Sequence, residues 1–429
     1  MRTYFLILAM SVGLVALQGC RKRTAVKSQE SKPLTWISLN GLTSITDSQT
    51  EILAHIEEGV ELDGLNALTN AQAELLSKVA WLSLNGLTSI TDEQTQILSK
   101  VSALNLNGLT SITDAQTQIL SDVEESLALD GLTALTDAQA EALSKVNHLS
   151  LNGLTSITDK QAESLSRVGY LDLNGLTSIT DSQAKILSSV QWLSVNGLNS
   201  ITDAQTTTLS LLEEGLELNG LTALTDAQAE SLSQVEENLY LNGLTSITDA
   251  QAESLSQVDN LALNGLTSLS DEQAETLSWA SDLELNGLTT ITDAQVEILT
   301  NVGSTDYAGS LYLSGLSSIT DAQTETLSSL SGVELNGLTS LTDAQAEHLS
   351  EAWYLSLNGL TSLTDAQATI LSTVPETLEL NGLTSITDAQ ASTLSNLQEL
   401  GLNGLKEITV AQLKLLSKHQ KRASLTASR

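Results

Sequence analysis

The chain is poor in aromatic residues, proline, cysteine and, over most of its length, basic residues. Of its 429 residues only 3% are aromatic, two are Pro and one is Cys. Leu, Ile, Val and Ala must therefore build almost the whole core, which favours one repeated cross-section over two or three ordinary domains. Beyond the first twenty residues, no segment is apolar enough to span a membrane.

Basic residues are scarce in the body of the chain and concentrated at its ends. The 52 acidic residues outnumber the 18 basic ones, and twelve of the basic residues lie outside residues 33–405. Between Lys185 and Lys406 there is no basic residue at all. Such a negative field keeps molecules soluble and attracts cations, and it argues against a nucleic-acid partner.

The first twenty residues have the pattern of an export signal. An apolar run from Tyr4 to Leu17 is too short for a comfortable bilayer span and fits a secretory signal. The motif LQGC at residues 17–20 resembles the lipobox of bacterial lipoproteins, and this resemblance implies that Cys20 is lipidated and becomes the mature N-terminus. Nothing around Cys20 is typical of a core cysteine, which is the alternative. Arg21, in place of the Asp that retains such proteins at the inner membrane, implies delivery to the outer membrane or the cell surface.

A repeat of 22 or 23 residues fills the rest of the chain, with one interval of 28 residues caused by an insertion at 303–310. The nonapeptide LNGLTSITD occurs seven times, and looser copies fill the gaps. Internal periods of 20–29 residues with L-x-L at a fixed phase are typical of leucine-rich repeats. The repeated Gly falls at 41, 64, 86, 108, 131, 153, 175, 197, 220, 243, 265, 287, 315, 337, 359, 382 and 404.

Each unit predicts a short strand followed by a short helix. In Trp81-Leu82-Ser83-Leu84 the two leucines point inward and the other two residues point outward, because side chains alternate along a strand. Thr91-Asp92-Glu93-Gln94 is a capping box that starts a helix, and all seventeen units have Ser or Thr followed three residues later by Gln. The Asn-Gly pairs are therefore not hairpin turns. We expect Gly to give a sharp exit from each strand and Asn to form hydrogen bonds there.

The repeats resemble the cysteine-containing subtype of leucine-rich repeats, with Leu109 at the position of the family's cysteine in the unit at 104–114. The resemblance implies an α/β solenoid of about 17 units, with a parallel sheet on the concave face and short helices on the convex face. The predicted organisation is a lipoprotein signal peptide (1–19), a lipidated Cys with a flexible basic tether (20–34), the solenoid (35–418) and a basic C-terminal tail (419–429). The whole chain is thus interpreted as a bacterial leucine-rich repeat lipoprotein.

Outward-facing strand positions hold seven of the mature chain's aromatic residues. Rows of exposed Trp and Tyr are typical of binding interfaces, although β-propensity on a pleated surface is an alternative explanation. The best local patch has side chains from three successive units. The predicted concave binding residues are His148, Ser150, Tyr170, Asp172, Trp192 and Ser194, together with Trp36, Trp81, Tyr240, Tyr312 and Tyr354.

Catalysis and metal binding are weaker interpretations of the same residues. His148, Ser150 and Asp172 are the residue types of a nucleophilic triad, but an open face offers no oxyanion site and does not exclude water. No spacing of His, Cys, Asp or Glu predicts a metal cluster. The row of Asp47, Asp92 and their equivalents could hold Ca²⁺, yet an acid in the first turn of each helix explains the same residues without metal. We therefore expect no enzyme and no cofactor, with Ca²⁺ as the alternative.

Two functions remain open on the sequence alone. The first is a membrane-anchored binding or adhesion module of the cell envelope that uses its concave face to bind a protein or glycan, with no small-molecule substrate. The second is a structural cell-surface spacer or coat protein without a discrete ligand. Outward positions vary between units while the inward frame is constant, which favours the binding module.

Overall fold

The computed structural model describes residues 36–56, 58–302, 309–406, 408–416 and 422–424. The predicted signal peptide, Cys20 and the basic tether lie outside these residues. Within the described part of the chain, short strands and short helices alternate from one end to the other.

The strands have three residues each. They are β1 (Trp36–Ser38), β2 (Gly59–Glu61), β3 (Trp81–Ser83), β4 (Ala103–Asn105), β5 (Ser126–Ala128), β6 (His148–Ser150), β7 (Tyr170–Asp172), β8 (Trp192–Ser194), β9 (Gly215–Glu217), β10 (Asn238–Tyr240), β11 (Asn260–Ala262), β12 (Asp282–Glu284), β13 (Ser310–Tyr312), β14 (Gly332–Glu334), β15 (Tyr354–Ser356), β16 (Thr377–Glu379), β17 (Glu399–Gly401) and β18 (Arg422–Ser424).

The helices have seven residues each. They are α1 (Asp47–Leu53), α2 (Asn70–Leu76), α3 (Asp92–Leu98), α4 (Asp114–Leu120), α5 (Asp137–Leu143), α6 (Asp159–Leu165), α7 (Asp181–Leu187), α8 (Asp203–Leu209), α9 (Asp226–Leu232), α10 (Asp249–Leu255), α11 (Asp271–Leu277), α12 (Asp293–Leu299), α13 (Asp321–Leu327), α14 (Asp343–Leu349), α15 (Asp365–Leu371), α16 (Asp388–Leu394) and α17 (Val410–Leu416).

Every strand pairs in parallel with the strand of the next unit, so the described strands form one continuous sheet. The register is strict: the first, second and third residues of neighbouring strands face one another, as His148 faces Tyr170 and Leu149 faces Leu171. The insertion before β13 does not disturb this register, because Asp282 still faces Ser310. Each outward position therefore forms a straight column across the sheet.

The core lies between the sheet and the row of helices. The two inward leucines of an interior unit, such as Leu104 and Leu106, are 0% exposed, and the helix contributes Leu120, also 0% exposed. Neighbouring helices pack side by side along the opposite layer. Because packed helices need about 8–10 Å and paired strands only about 4.8 Å, the stack curves with the sheet on its concave side. The predicted leucine-rich repeat solenoid is confirmed.

The repeated Gln makes two kinds of hydrogen bond, and the sequence predicted only one of them. In α4 the side-chain oxygen of Gln116 accepts a hydrogen bond from the Thr113 N–H at 3.0 Å, which completes the predicted capping box. Its amide nitrogen donates to the Ile90 carbonyl of the preceding unit at 3.0 Å. Equivalent bonds link successive units to Gln412, which donates to Ile386 at 2.8 Å. This second bond explains why the position is Gln throughout, since Glu has no N–H to donate.

The Asn row forms hydrogen bonds at the strand exits, as predicted, and these bonds build a second ladder between units, which was not predicted. The side-chain oxygen of Asn85 accepts from the Asn107 N–H at 2.9 Å, and the side-chain oxygen of Asn107 accepts from the Asp130 N–H at 2.9 Å. The weakest link is at Ser314, whose shorter side chain accepts from the Asn336 N–H at 3.4 Å. Each unit is thus bonded to the next through side chains as well as through the sheet.

The repeated Gly is required for a different reason from the predicted one. A Cβ at Gly108 would lie 2.2 Å from the Asn85 carbonyl oxygen and 2.6 Å from the Leu87 carbonyl oxygen, both in the preceding unit. The expected bend within the unit is therefore not the constraint. Close packing of one turn against the backbone of its neighbour excludes any side chain at this position.

The C-terminal end differs from the predicted loose tail. Arg422–Ser424 adds in parallel to β17 as strand β18, so that Leu400 faces Ala423. The last unit would otherwise leave a free strand edge, which readily accepts another strand. The remaining residues of the predicted tail lie outside the described part of the chain.

Candidate functional site

The aromatic side chains occupy the predicted outward columns, but they lie against the sheet instead of standing free. Trp192 is only 7% exposed and Tyr312 only 4%, so the prediction that these two are exposed is wrong. The other five, Trp36, Trp81, Tyr170, Tyr240 and Tyr354, are half-buried.

Glycines in the next unit make room for the indole rings. A Cβ at Gly59 would lie 2.2 Å from a ring carbon of Trp36, and one at Gly215 would lie 2.4 Å from ring carbons of Trp192. The flattened rings then reach the strand beyond: the Trp36 and Trp81 ring centroids are 4.6 Å apart. The physical reason for the burial is thus the absence of a side chain in the neighbouring column position.

The predicted patch around His148 is brought together on β6–β8, but its polar groups bond to the protein itself. The His148 ring nitrogen Nε2 is 3.1 Å from the Asp172 carboxylate. The Tyr170 hydroxyl donates a short hydrogen bond to Glu214. Burial, and then the hydrogen bond to Glu214, raises the pKa of Tyr170 above its ordinary value. Ser194 donates to Asn174 at 2.7 Å or to Glu217 at 2.9 Å.

The geometry of this patch is not that of a nucleophilic triad. The Ser150 hydroxyl donates to Asp130 at 2.6 Å, and its oxygen accepts from the Asn152 amide at 2.8 Å. The His148 ring bonds to Asp172 instead of to Ser150. The base therefore contacts the acid, while the hydroxyl is turned toward a different carboxylate.

A concavity lies further along the same face, on β9 to β16. It has a volume of about 400 Å³. Three of the aromatic residues predicted to bind a partner line this concavity. The carboxylates between them were not singled out from the sequence. We call this the acidic groove; its lining is Glu217, Asn219, Tyr240, Asn242, Glu284, Asn286, Tyr312, Glu334, Tyr354 and Glu379.

Hydrogen bonds from the preceding unit orient the groove carboxylates. Glu284 accepts from the Asn264 amide at 2.7 Å. Glu379 accepts from the Ser356 hydroxyl at 3.2 Å and the Asn358 amide at 2.9 Å. The carboxylates are thus held on the sheet surface by side chains of fixed position.

Burial raises the pKa values of three groove acids, Glu217, Glu284 and Glu334, and no neighbouring cation in the described part of the chain offsets this rise. Desolvation, and then repulsion from Glu379 and Glu284, raises the pKa of Glu334 to about 7, although a hydrogen bond from Tyr354 opposes this rise. The Tyr354 hydroxyl donates to the Glu334 carboxylate at 3.0 Å. Burial is also the main reason why the pKa values of Glu217 and Glu284 are raised. The groove therefore holds negative charge at an energetic cost that a bound cation would reduce.

The tyrosines of the groove stay protonated at physiological pH. Burial, and then nearby carboxylates, raises the pKa values of Tyr240, Tyr312 and Tyr354. Tyr240 makes no hydrogen bond through its hydroxyl to the described protein, and its ring centroid is 5.8 Å from that of Trp192. It can therefore donate to a ligand while its ring provides a contact surface.

Sequence reasoning missed two exposed tryptophans and the importance of the carboxylates. Trp279 is 74% exposed and Trp353 is 56% exposed, both outside the strand columns. Aligning the units would have placed Trp279 where most other units have a polar residue. The acidic groove had a visible signal too, since Glu and Tyr recur in a single column from Glu217 to Glu379.

The described residues contain no candidate metal cluster and no helix suited to spanning a membrane. In the described ranges no three His, Cys, Asp or Glu side chains form a group that could hold a metal ion. Several Asp residues at helix starts instead accept from the Thr of the next unit, as Asp226 does from Thr248 at 2.9 Å. Among the described helices, none has the length and apolar character needed to cross a membrane.

Similarity to known proteins is found among solved structures. No protein-family description and no curated protein matches the chain. Similar solved structures include a TLR13–ssRNA13 complex, at 16% identity over 86% of this chain and 61% of that one, with a TM-score of 0.41. The Toll–Spatzle complex of Drosophila has 16% identity over 91% and 62%, with a TM-score of 0.42. An internalin (inlF) of Listeria monocytogenes has 16% identity over 89% and 90%, with a TM-score of 0.31. At these values the likenesses carry no inference about function, and the assignment of a leucine-rich repeat solenoid rests on the chain's own geometry.

Proposed function

We propose that this protein is a binding module of the cell envelope, anchored through a lipidated Cys20, that captures a protein partner on the acidic groove. The observation that carries the proposal is the concavity of about 400 Å³ lined by tyrosines, among them the half-buried Tyr240 and Tyr354. Tyrosine supplies a large contact area together with a polar end, and it is enriched where proteins bind one another.

Variation along the outward columns supports binding over a spacer role. The inward residues of successive strands repeat as Leu or Val, whereas the facing outward positions change, as in Glu217, Tyr240 and Ala262. A spacer or coat that only repeats itself has no need of such changes.

The charge of the groove favours a protein over a neutral glycan. Between Lys185 and Lys406 the chain has no basic residue to neutralise Glu217, Glu284, Glu334 and Glu379. A partner that presents Lys or Arg side chains would supply the missing charge, which gives specificity and speeds association.

Capture from the surface of the source organism's cells tests this proposal. The purified protein is compared with Tyr240→Ala/Tyr354→Ala, which removes the two half-buried tyrosines of the groove, and with Tyr170→Ala as a matched change in the His148 patch. We expect the double variant to lose the partner and Tyr170→Ala to retain it. Thermal midpoints close to that of the wild type would confirm that both variants are folded. Equal capture by all three would contradict the groove, and loss only in Tyr170→Ala would move the site to the His148 patch.

The membrane anchor has a separate test. Cys20→Ala in the full chain is expected to move the protein from the membrane fraction to the soluble fraction, because stable anchoring depends on acyl chains. Metabolic labelling with a fatty-acid analogue should mark the wild-type protein and not the variant. Labelling of both would contradict lipidation at Cys20.

A further inference from the structure

One outward column of the acidic groove places its carboxylates at regular intervals. Glu284 is the third residue of β12, Glu334 of β14 and Glu379 of β16. The strict parallel register keeps the three in a straight column, with Tyr312 between the first two and Ser356 between the last two. Because adjacent strands are about 4.8 Å apart, successive carboxylates of this column are about 9.6 Å apart.

This interval matches one turn of a polyproline II helix. That conformation has three residues per turn and rises about 3.1 Å per residue, so every third side chain lies on one face at intervals of about 9.3 Å. A fully extended strand does not have this match, because its side chains recur on one face about every 6.8 Å. Aromatic-lined grooves are a recurring way to bind polyproline II segments.

We propose that the acidic groove binds a polyproline II segment with Lys or Arg at every third position, running across the strands from β12 to β16. The proposal rests on the function proposed above and names the partner chemistry for that same groove. The basic side chains would meet Glu284, Glu334 and Glu379 in turn. The intervening residues would pack on the half-buried ring of Tyr354.

The two outer carboxylates of the column each have one oxygen that accepts no hydrogen bond from the described protein, whereas both oxygens of Glu334 accept one, from Tyr354 and Asn336. The hydrogen bonds to Glu284 and Glu379 in the described protein all go to one oxygen, Oε2. The other oxygen of each carboxylate is available to an ammonium or guanidinium group. Charge-assisted hydrogen bonds of this kind are about twice as strong as neutral ones.

Calorimetric titration with synthetic peptides tests the spacing directly. The probes are a Lys-Pro-Pro repeat, a Lys-Pro-Pro-Pro repeat with the same number of lysines, and a Glu-Pro-Pro repeat. Titration is carried out at low ionic strength, because salt screens exposed charges. We expect the Lys-Pro-Pro repeat to bind at least about fivefold more tightly than the Lys-Pro-Pro-Pro repeat, whose lysines rotate away from one face, and the Glu-Pro-Pro repeat not to bind.

Variants of one column locate the binding site. Glu284→Gln should weaken the Lys-Pro-Pro repeat about tenfold, in the range typical of a close charge pair. Glu61→Gln is the matched control, because Glu61 is the third residue of β2 and also accepts from an Asn of the preceding unit, Asn40, at 3.0 Å. Glu61→Gln should leave binding unchanged.

The outcomes separate the two proposals. Equal binding of the two lysine peptides, or an equal effect of both variants, would show attraction to net charge alone and overturn the spacing argument. If no peptide binds but capture of the native partner still depends on Tyr240 and Tyr354, the partner chemistry is wrong and the binding function stands. If that capture is also independent of these residues, both proposals fail.

Discussion

The same nine residues, LNGLTSITD, occur at 39–47 in the first unit and at 106–114 in the fourth, yet they have different environments. Leu106 is 0% exposed, whereas Leu39 is only partly buried at the end of the stack. A Cβ at Gly108 would lie 2.2 Å from a carbonyl oxygen of the preceding unit, whereas one at Gly41 would have nothing within 4 Å. Identical sequence therefore does not have identical structural requirements.

The difference shows that the repeated residues are fixed by the neighbouring unit more than by their own. Gln116 donates to Ile90 in the unit before it, while Gln49, in the first unit, is exposed and bonds, within the described part of the chain, only through its own capping box. In a solenoid, stability is approximately a sum of unit terms and interface terms between neighbours. The first unit has its own internal stability but, in the described part of the chain, an interface only with the unit that follows it. Its residues are therefore natural controls for the same residues in interior units.

The largest expected effect is at the repeated Gly. Gly108→Ala should destabilise the protein by about 3–5 kcal/mol, because a methyl group must displace two backbone carbonyls of the preceding unit. Gly41→Ala, in the identical nonapeptide, should change stability by less than about 0.5 kcal/mol. Denaturant unfolding monitored by circular dichroism measures both. Similar losses of stability at the two sites would show that Gly is required for the bend within its own unit.

A smaller effect is expected at Gln. Gln116→Glu keeps the capping oxygen but loses the N–H that bonds to Ile90, and Gln116 is only 8% exposed. We expect a loss of about 1–3 kcal/mol at neutral pH, the range for leaving a buried acceptor unsatisfied. Gln49→Glu, on an exposed residue with no unit before it, should be close to neutral. Thermal unfolding of the pair decides whether the inter-unit bond contributes beyond the cap.

Two parts of the sheet can also be compared at the third position of a strand. Glu334 holds this position in the acidic groove, and Glu61 holds it near the first unit. The folded protein raises the pKa of Glu334 from 4.5 to about 7, so this carboxyl binds a proton more tightly when folded. Its contribution to stability is therefore complete below about pH 4.5 and is lost as the pH rises through about 7. The groups facing it are Glu284, Glu379 and Tyr354, none of which supplies positive charge.

Glu334→Gln replaces the charged form with a neutral one of similar shape. We expect a gain in stability at pH 8 on the order of 1–2 kcal/mol after allowing for solvent screening, and a smaller fall in thermal midpoint between pH 5 and pH 8. Glu61→Gln serves as the matched control for removing a carboxylate from the same column position outside the groove. The same slope in Glu334→Gln as in wild type would show that this carboxyl does not titrate in that window.

The sequence was sufficient to predict the fold because each local signal repeats seventeen times and all of the signals agree. Alternating Leu residues, the capping box and the period together predict strand, helix and stacking. The orientation of the aromatic side chains could not be predicted, since the burial of Trp192 depends on Gly215 in a different unit. The acidic groove depends likewise on which residues face one another across five or more strands. Reading the columns for charge as well as for aromatic residues would have found Glu284 and Glu334.

The smallest expected effect is a gain at the weakest link of the Asn ladder. Ser314 accepts from the Asn336 N–H at 3.4 Å, whereas Asn286 and Asn336 accept from the units after them at 2.7 and 2.8 Å. Ser314→Asn restores the longer acceptor and should stabilise the protein by about 0.5–1 kcal/mol, the net value of one hydrogen bond. Hydrogen exchange at the Asn336 amide gives the local readout, and exchange should become slower. Ser44→Asn, at an exposed position of the first unit, controls for any general effect of the side chain. Unchanged exchange at Asn336 with unchanged stability would mean that the sheet alone, and not the ladder, fixes the spacing between units.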